Sequence, residues 1–158
     1  LDLANSLINA MNKITQCEKC HNFCEGKLCE ICKSNNRDES KLCIVSMPMD
    51  IISIEQTSSF SGFYFVLMGV LSPLDGISPS DLNFNSLQKR LEDKNLKEII
   101  LAISPTPEGD ATCHYVNQLA LNAGKKITRI SYGIPFGGSL DYADVHTLSH
   151  ALQTRIDF

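Results

Sequence analysis

The sequence predicts an α/β protein in three parts: a small four-cysteine module, a domain built on a parallel sheet, and a C-terminal helical tail. Three observations carry that prediction. Four of the seven cysteines, Cys17, Cys20, Cys29 and Cys32, form two C-x2-C pairs separated by eight residues. From residue 42 onward, short apolar runs alternate with segments of helical period, the pattern of strands joined by helical crossovers. The chain has 158 residues, and a chain of that size buries roughly 70% of its unfolded surface, enough for a core without disulfides.

Each element follows from local pattern. Leu3, Leu7, Ile8, Met11 and Ile14 recur at helical spacing, so residues 2–15 read as an amphipathic helix whose apolar stripe is expected to pack. Residues 33–41 are polar and read as a connector. Residues 42–47 read as a buried strand, 50–59 as a short helix with Asp50 near its start, and 62–69 as an apolar strand. Residues 71–82, with Pro73, Gly76 and Pro79, read as a long loop in which Asp75 and Gly76 make a turn. Leu87 and Leu91 mark a helix over 85–94; 98–104 reads as a strand, 108–123 as a helix and 127–131 as a strand. A loop over 133–138 and a helix over 145–155 complete the chain. Cys43 and Cys113 fall in a strand and a helix and read as core thiols.

Composition excludes several classes. With 43% hydrophobic and 20% charged residues, the chain is ordinary for a globular protein and not for a disordered one. No apolar run approaches the roughly 18 residues of a membrane helix. The first residues, Leu-Asp-Leu-Ala-Asn, lack a basic segment, so no signal peptide is expected; without an initiator Met, the chain reads as trimmed or as a fragment. Residues 1–41 hold six Lys/Arg and six Asp/Glu, and the remainder hold eight and twelve, so the net charge of −4 lies in the C-terminal part. There is no overall basic footprint for nucleic acid.

The cysteine spacing carries chemistry. Two residues between thiols let a tight knuckle present both sulfurs to one ion, and two facing knuckles complete a tetrahedral S4 site suited to Zn²⁺. A pair of disulfides is the alternative; the odd cysteine count, the absent signal and the sizeable core argue against it. Lys13, Lys19, Lys27 and Lys33 surround the site and offset the net −2 of a zinc tetrathiolate. No ligand position stays open, so the zinc is expected to be structural. Cys24 and His21 lie inside the loop as competing ligands, and the paired spacing favours leaving both out.

In parallel sheets chemistry gathers at the C-terminal strand ends, which here are 46–50, 104–110 and 133–139. Together with the cysteines, Ile54-Glu-Gln-Thr57, Leu71-Ser-Pro-Leu-Asp-Gly-Ile77, Pro105-Thr-Pro-Glu-Gly109, Thr128-Arg-Ile130 and Gly133-Ile-Pro135 closely resemble the bacterial RecR recombination proteins over essentially the whole chain. The resemblance implies a four-cysteine zinc finger at 17–32, after a linker helix at 1–16. It further implies a Toprim domain at 40–135 and a tail at 136–158 with a Walker B-like segment containing Asp141 and Asp144. It implies a cytoplasmic, nucleoid-associated bacterial protein. Such a protein acts with RecO, and in many bacteria RecF, to load RecA onto gapped single-stranded DNA. It also implies RecO contact at Glu108. RecR proteins begin with a helix-hairpin-helix module that supplies DNA contacts and one interface of a four-subunit ring. Without it, the resemblance implies weak DNA binding and association through the C-terminal region alone, as a dimer or monomer.

Catalytic Toprim domains hold Mg²⁺ with a Glu after the first strand and a D-x-D after a later one. The matching positions here are Ser46, Ser104 and Thr106, with Glu108 and Asp110 nearby, so a Mg²⁺-dependent nuclease or topoisomerase is the weaker reading. Gly133-x4-Gly138 is followed by Ser139 where a P-loop has Lys, so no nucleotide site is expected. His146 and His150 lack the Glu of a zincin helix and read as surface or packing residues.

Overall fold

The computed structural model describes residues 2–156. The assignments over 1–16 and 136–158 therefore include three positions, 1, 157 and 158, that lie outside the described residues. In chain order the elements are helix α1 (Asp2–Lys13), strands β1 (Ile14–Gln16) and β2 (Phe23–Glu25), helix α2 (Glu30–Lys33), strand β3 (Asp38–Val45), helix α3 (Pro48–Gln56) and strand β4 (Gly62–Val66). They continue with helix α4 (Phe84–Leu91), strand β5 (Glu98–Ala102), helix α5 (Pro107–Asn122), strand β6 (Lys126–Arg129) and helix α6 (Val145–Gln153).

Strands β3 to β6 form one parallel sheet in the order β4-β3-β5-β6. Alternate side chains face opposite sides. Leu42, Ile44, Phe63, Phe65, Ile99 and Leu101 point toward α4 and α5, against Leu87, Leu91, Cys113 and Val116. Cys43, Val45, Tyr64 and Val66 point toward α3, against Ile51. Covering both faces explains why these strands read as unbroken apolar runs rather than alternating ones. Cys43 and Cys113 are buried, as expected of core thiols.

The loops that bring chain to the strand ends are built by short-range chemistry. At the start of α3, the Met47 N–H donates to Asp50 Oδ2 at 2.8 Å and Pro48 occupies the first turn. At the start of α5, Thr106 Oγ1 accepts from the Gly109 N–H at 3.0 Å. Gly109 is required there: a Cβ would lie 2.0 Å from the Ser104 carbonyl oxygen. Gly124, at φ +66°, ends α5 in the left-handed conformation that glycine adopts without strain.

Three expectations are corrected. The first helix stops at Lys13, because the β-branched Ile14 and Thr15 enter a hairpin with β2. Its apolar stripe does not pack: no described residue of α1 is buried, and Leu3, Leu7 and Met11 are all more than half exposed. The polar stretch 33–41 is not only a connector, since its last residues, from Asp38, open β3 at the wet end of the sheet.

Candidate metal centre and strand-end cleft

The four paired cysteines meet. Their sulfurs all lie within 4.8 Å of one another, with Cys20 Sγ and Cys29 Sγ 3.5 Å apart. Zn–S bonds of about 2.3 Å in a tetrahedron place sulfurs about 3.8 Å apart, so the cluster fits one ion. The first knuckle is closed by His21 N–H to Cys17 O (2.9 Å) and Cys17 N–H to Asn22 O (2.8 Å), with His21 in the left-handed region at φ +62°. The second is the start of α2, where the Cys32 N–H donates to Cys29 Sγ at 3.4 Å. All four residues are buried, and none of the seven cysteines is disulfide-bonded.

Without an ion the thiols differ in acidity. Burial pushes Cys29 up to about 11. A hydrogen bond with Cys32, then burial, drives Cys20 far above the usual thiol range. For Cys17 burial acts the same way, but hydrogen bonds from the backbone of Cys29, Cys20 and Lys19 outweigh it and bring the thiol down to about 7. Cys17 ionises readily while Cys20 and Cys29 resist; a bound cation removes that resistance. Cys24 stays outside the cluster, its thiol directed at Gly26 O (3.3 Å), and burial holds the His21 imidazole below its usual value.

The module is part of the main core rather than an appendage. The four cysteines belong to the same buried cluster as Leu42, Ile44, Phe63 and Phe65. The Val66 N–H of edge strand β4 donates to Cys20 O at 2.9 Å, and the His21 ring meets Phe65 edge-on at 5.1 Å. Beyond the module, Arg37 donates to Gly62 O (2.6 Å) and pairs with Glu55, which also accepts from Tyr64 Oη at 2.5 Å. Sequence pattern does not disclose this network, because its members lie just before β3, on α3 and on β4, and only the fold joins them.

At the C-terminal strand ends a cleft of about 240 Å³ is lined by Asp50, Ser53, Ile54, Ala102, Ser104 and Tyr132, among others. Of the three hydroxyl residues at the Toprim metal positions, Ser104 lines it. Thr106 caps α5, and Ser46 O accepts from the Gly69 N–H. Asp50 is a cleft carboxylate that sequence reasoning did not single out; its Oδ2 is engaged by the Met47 N–H. Glu108 sits half-buried in the first turn of α5, its carboxylate without a hydrogen-bond or ion-pair partner among the described residues. Asp110, in the same turn, pairs with Arg129 at 2.7 Å.

The Leu71–Ile77 loop docks beside Glu108. Thr112, fully buried on α5, donates to Glu108 O (2.7 Å) and accepts from the Leu71 N–H (2.8 Å). Ser72 Oγ donates to Asp75 Oδ2 at 2.6 Å, and Gly76 at φ +73° completes the predicted turn. In the tail, Asp144 caps α6 by accepting from Thr147, and those hydrogen bonds hold its carboxyl below the usual range. Asp141 is exposed. His150 stacks on Tyr132 at 3.8 Å and is a packing residue, whereas His146 is exposed. Among the described residues no helix is long and apolar enough to cross a membrane.

Comparison with known proteins agrees with this architecture. Residues 14–34 match the RecR four-cysteine zinc finger domain, 40–131 the Toprim domain, and 133–156 the RecR C-terminal family. The zinc-finger match and the four close sulfurs fit one structural Zn²⁺. The recombination protein RecR of Hahella chejuensis is 48% identical over 157 residues, covering 99% of this chain and 78% of that protein. The RecR of Francisella philomiragia is 46% identical over 155 residues, with 98% and 77% covered. That of Francisella tularensis subsp. mediasiatica is 47% identical over 153 residues, with 97% and 76% covered. A four-thiol module fused into the core of a Toprim sheet, matched along its whole length at this identity, places the chain in the RecR family of recombination and DNA-repair proteins.

Proposed function

We propose that this protein is a non-catalytic recombination mediator that works with RecO, and with RecF where present, to load RecA onto gapped single-stranded DNA. The observation that carries the reading is that no carboxylate stands at Ser46, Ser104 or Thr106, of which Ser104 lines the strand-end cleft, and that the one lining aspartate is committed to a helix cap. Neutral hydroxyls are poor ligands for Mg²⁺, which takes carboxylates and water. In this reading Cys17, Cys20, Cys29 and Cys32 hold the structural zinc of a finger at 17–32, and the Toprim domain spans 40–135. The tail at 136–158 joins subunits through its C-terminal region. Exposed Phe136, Leu140, Tyr142 and Val145 support that last role. The protein acts in the cytoplasm at the nucleoid.

Glu108 is the RecO contact: a half-buried carboxylate, unpaired among the described residues, beside a loop held rigid by Thr112. The test is RecA assembly on gapped DNA coated with single-strand-binding protein, with RecO present. Adding this protein should shorten the lag, and an unchanged lag would contradict the reading. Glu108→Gln should weaken RecO binding in calorimetry at matched salt by roughly 2–5 kcal/mol, the cost of stranding a buried partner cation. It should cost the fold about 1 kcal/mol at most. Equal affinities would remove Glu108 from the interface.

A further inference from the structure

The groove between the zinc module and α4 has no role in the mediator chemistry described above. It is about 290 Å³ and is lined by Glu18, Lys19, His21, Phe65, Ser86, Lys89 and Arg90. Lys19 comes from the first zinc knuckle, and Lys89 and Arg90 from the last turn of α4. These two elements are distant in sequence and are brought together by the packing of the module on β4. Phe65 is fully buried and forms a rigid floor, with the His21 ring set edge-on against it.

The charge balance of the groove runs against that of the chain. Three cations line it against one carboxylate, in a protein of net charge −4. Lys19 and Lys89 are both exposed and form no ion pair among the described residues. Arg90 pairs with Asp93 at 2.7 Å. The adjoining cavity shares Lys19 and Arg90 and adds the carboxylates Glu39 and Asp93. Two ammonium groups on one groove, with serine and imidazole hydrogen-bonding groups beside them, are the donor set that a phosphate backbone takes.

We propose that this groove is a phosphate-contact site for single-stranded DNA, with Lys19 and Lys89 neutralising adjacent phosphates and the zinc knuckle fixing their separation. The proposal rests on the mediator reading only for the choice of nucleic acid as ligand. The composition still implies weak binding, because two or three contacts supply little of the counterion release that drives affinity.

The test is fluorescence anisotropy with labelled oligodeoxythymidylate and the zinc-loaded chain over a range of salt. Wild type should bind weakly, and log Kd should change linearly with log salt. Lys19→Glu with Lys89→Glu should weaken binding at least tenfold, and Lys19→Ala with Lys89→Ala should reduce the salt slope by about 1.4, the share of two single-strand contacts. Lys19 lies between two zinc ligands, so zinc content is read for every variant, and Lys89→Glu alone, on α4, should weaken binding with zinc content as in wild type. A charge-matched control, Lys13→Glu with Lys97→Glu, should have a much smaller effect. An equal loss in the control would show only a net-charge effect and overturn the site. So would absence of binding at low salt, or unchanged affinity in the groove variants, whatever the RecA-loading assay reports. Tighter capture of polyglutamate than of the oligonucleotide, abolished by the same variants, would make the groove a protein-docking site and also overturn the proposal.

Discussion

Cys43 shows how a single buried group writes itself into the behaviour of the fold. It lies on the central strand, 3% exposed, and burial first, then the charge of Asp50, push its thiol from the ordinary value of 9.0 up to about 12. The native state therefore keeps a proton that the unfolded chain gives up. Below about pH 8.5 both states hold it, and the full stability is present. Between there and about pH 12 stability falls, by as much as about 1.4 kcal/mol per pH unit from this group alone. Burial and then Glu55 push Tyr64 upward as well, so the fall steepens above about pH 10. Urea titrations from about pH 7 to about pH 11 should show this decline, and Cys43→Ala should flatten its first part. A midpoint that stays constant over that range would mean that the thiol is not sequestered.

At the scale of elements, the loop 71–77 and the helix α5 are joined by one hydroxyl. Thr112→Val keeps the shape and removes the hydroxyl, leaving the Leu71 N–H without its acceptor. An unpaired buried donor costs about 1–3 kcal/mol. The variant should lose that much stability, and amide exchange should quicken at Leu71. Unchanged exchange there would mean that the loop is held by other contacts. The zinc module and β4 are coupled in the same way through Val66 and Cys20. The protein purified without chelator should carry one zinc per chain, and Cys29→Ser should lose it even with Cys24 also replaced. Chelation should quicken exchange at Val66 as well as within the module, because structural zinc binding is coupled to folding. Protection at Val66 that survives complete zinc loss would separate the module from the sheet.

These couplings also explain what the sequence could and could not disclose. Strands β3 to β5 were legible because burial on both faces produces apolar runs, and α4 because Leu87 and Leu91 are spaced for one buried face. The β1–β2 hairpin was not legible: its strands have three residues each and are almost entirely exposed, so no alternation marks them. The four-cysteine cluster was fully legible because the paired spacing sets its geometry. The Arg37–Glu55–Tyr64 network, the Thr112 bridge and the Lys19–Lys89 groove were not, since each depends on elements that only tertiary packing brings together.

At the scale of the whole molecule, the reading proposed above has the strand ends of this Toprim sheet serve assembly instead of phosphodiester chemistry. The carboxylates near the cleft are occupied or set aside: Asp50 in a cap, Asp110 in an ion pair with Arg129, and Glu108 turned to partner contact in the reading proposed above. The sheet is stiffened from one edge by the zinc module and held on both faces by helices, which suits a scaffold that presents fixed surfaces to partners. The most direct test is to incubate zinc-loaded protein with supercoiled plasmid and gapped DNA in Mg²⁺ and to follow both topology and strand integrity. Both substrates should remain unchanged at stoichiometric protein. Cleavage or relaxation that requires Mg²⁺, and that disappears when Glu108 and Asp110 are replaced by Ala, would contradict a non-catalytic role.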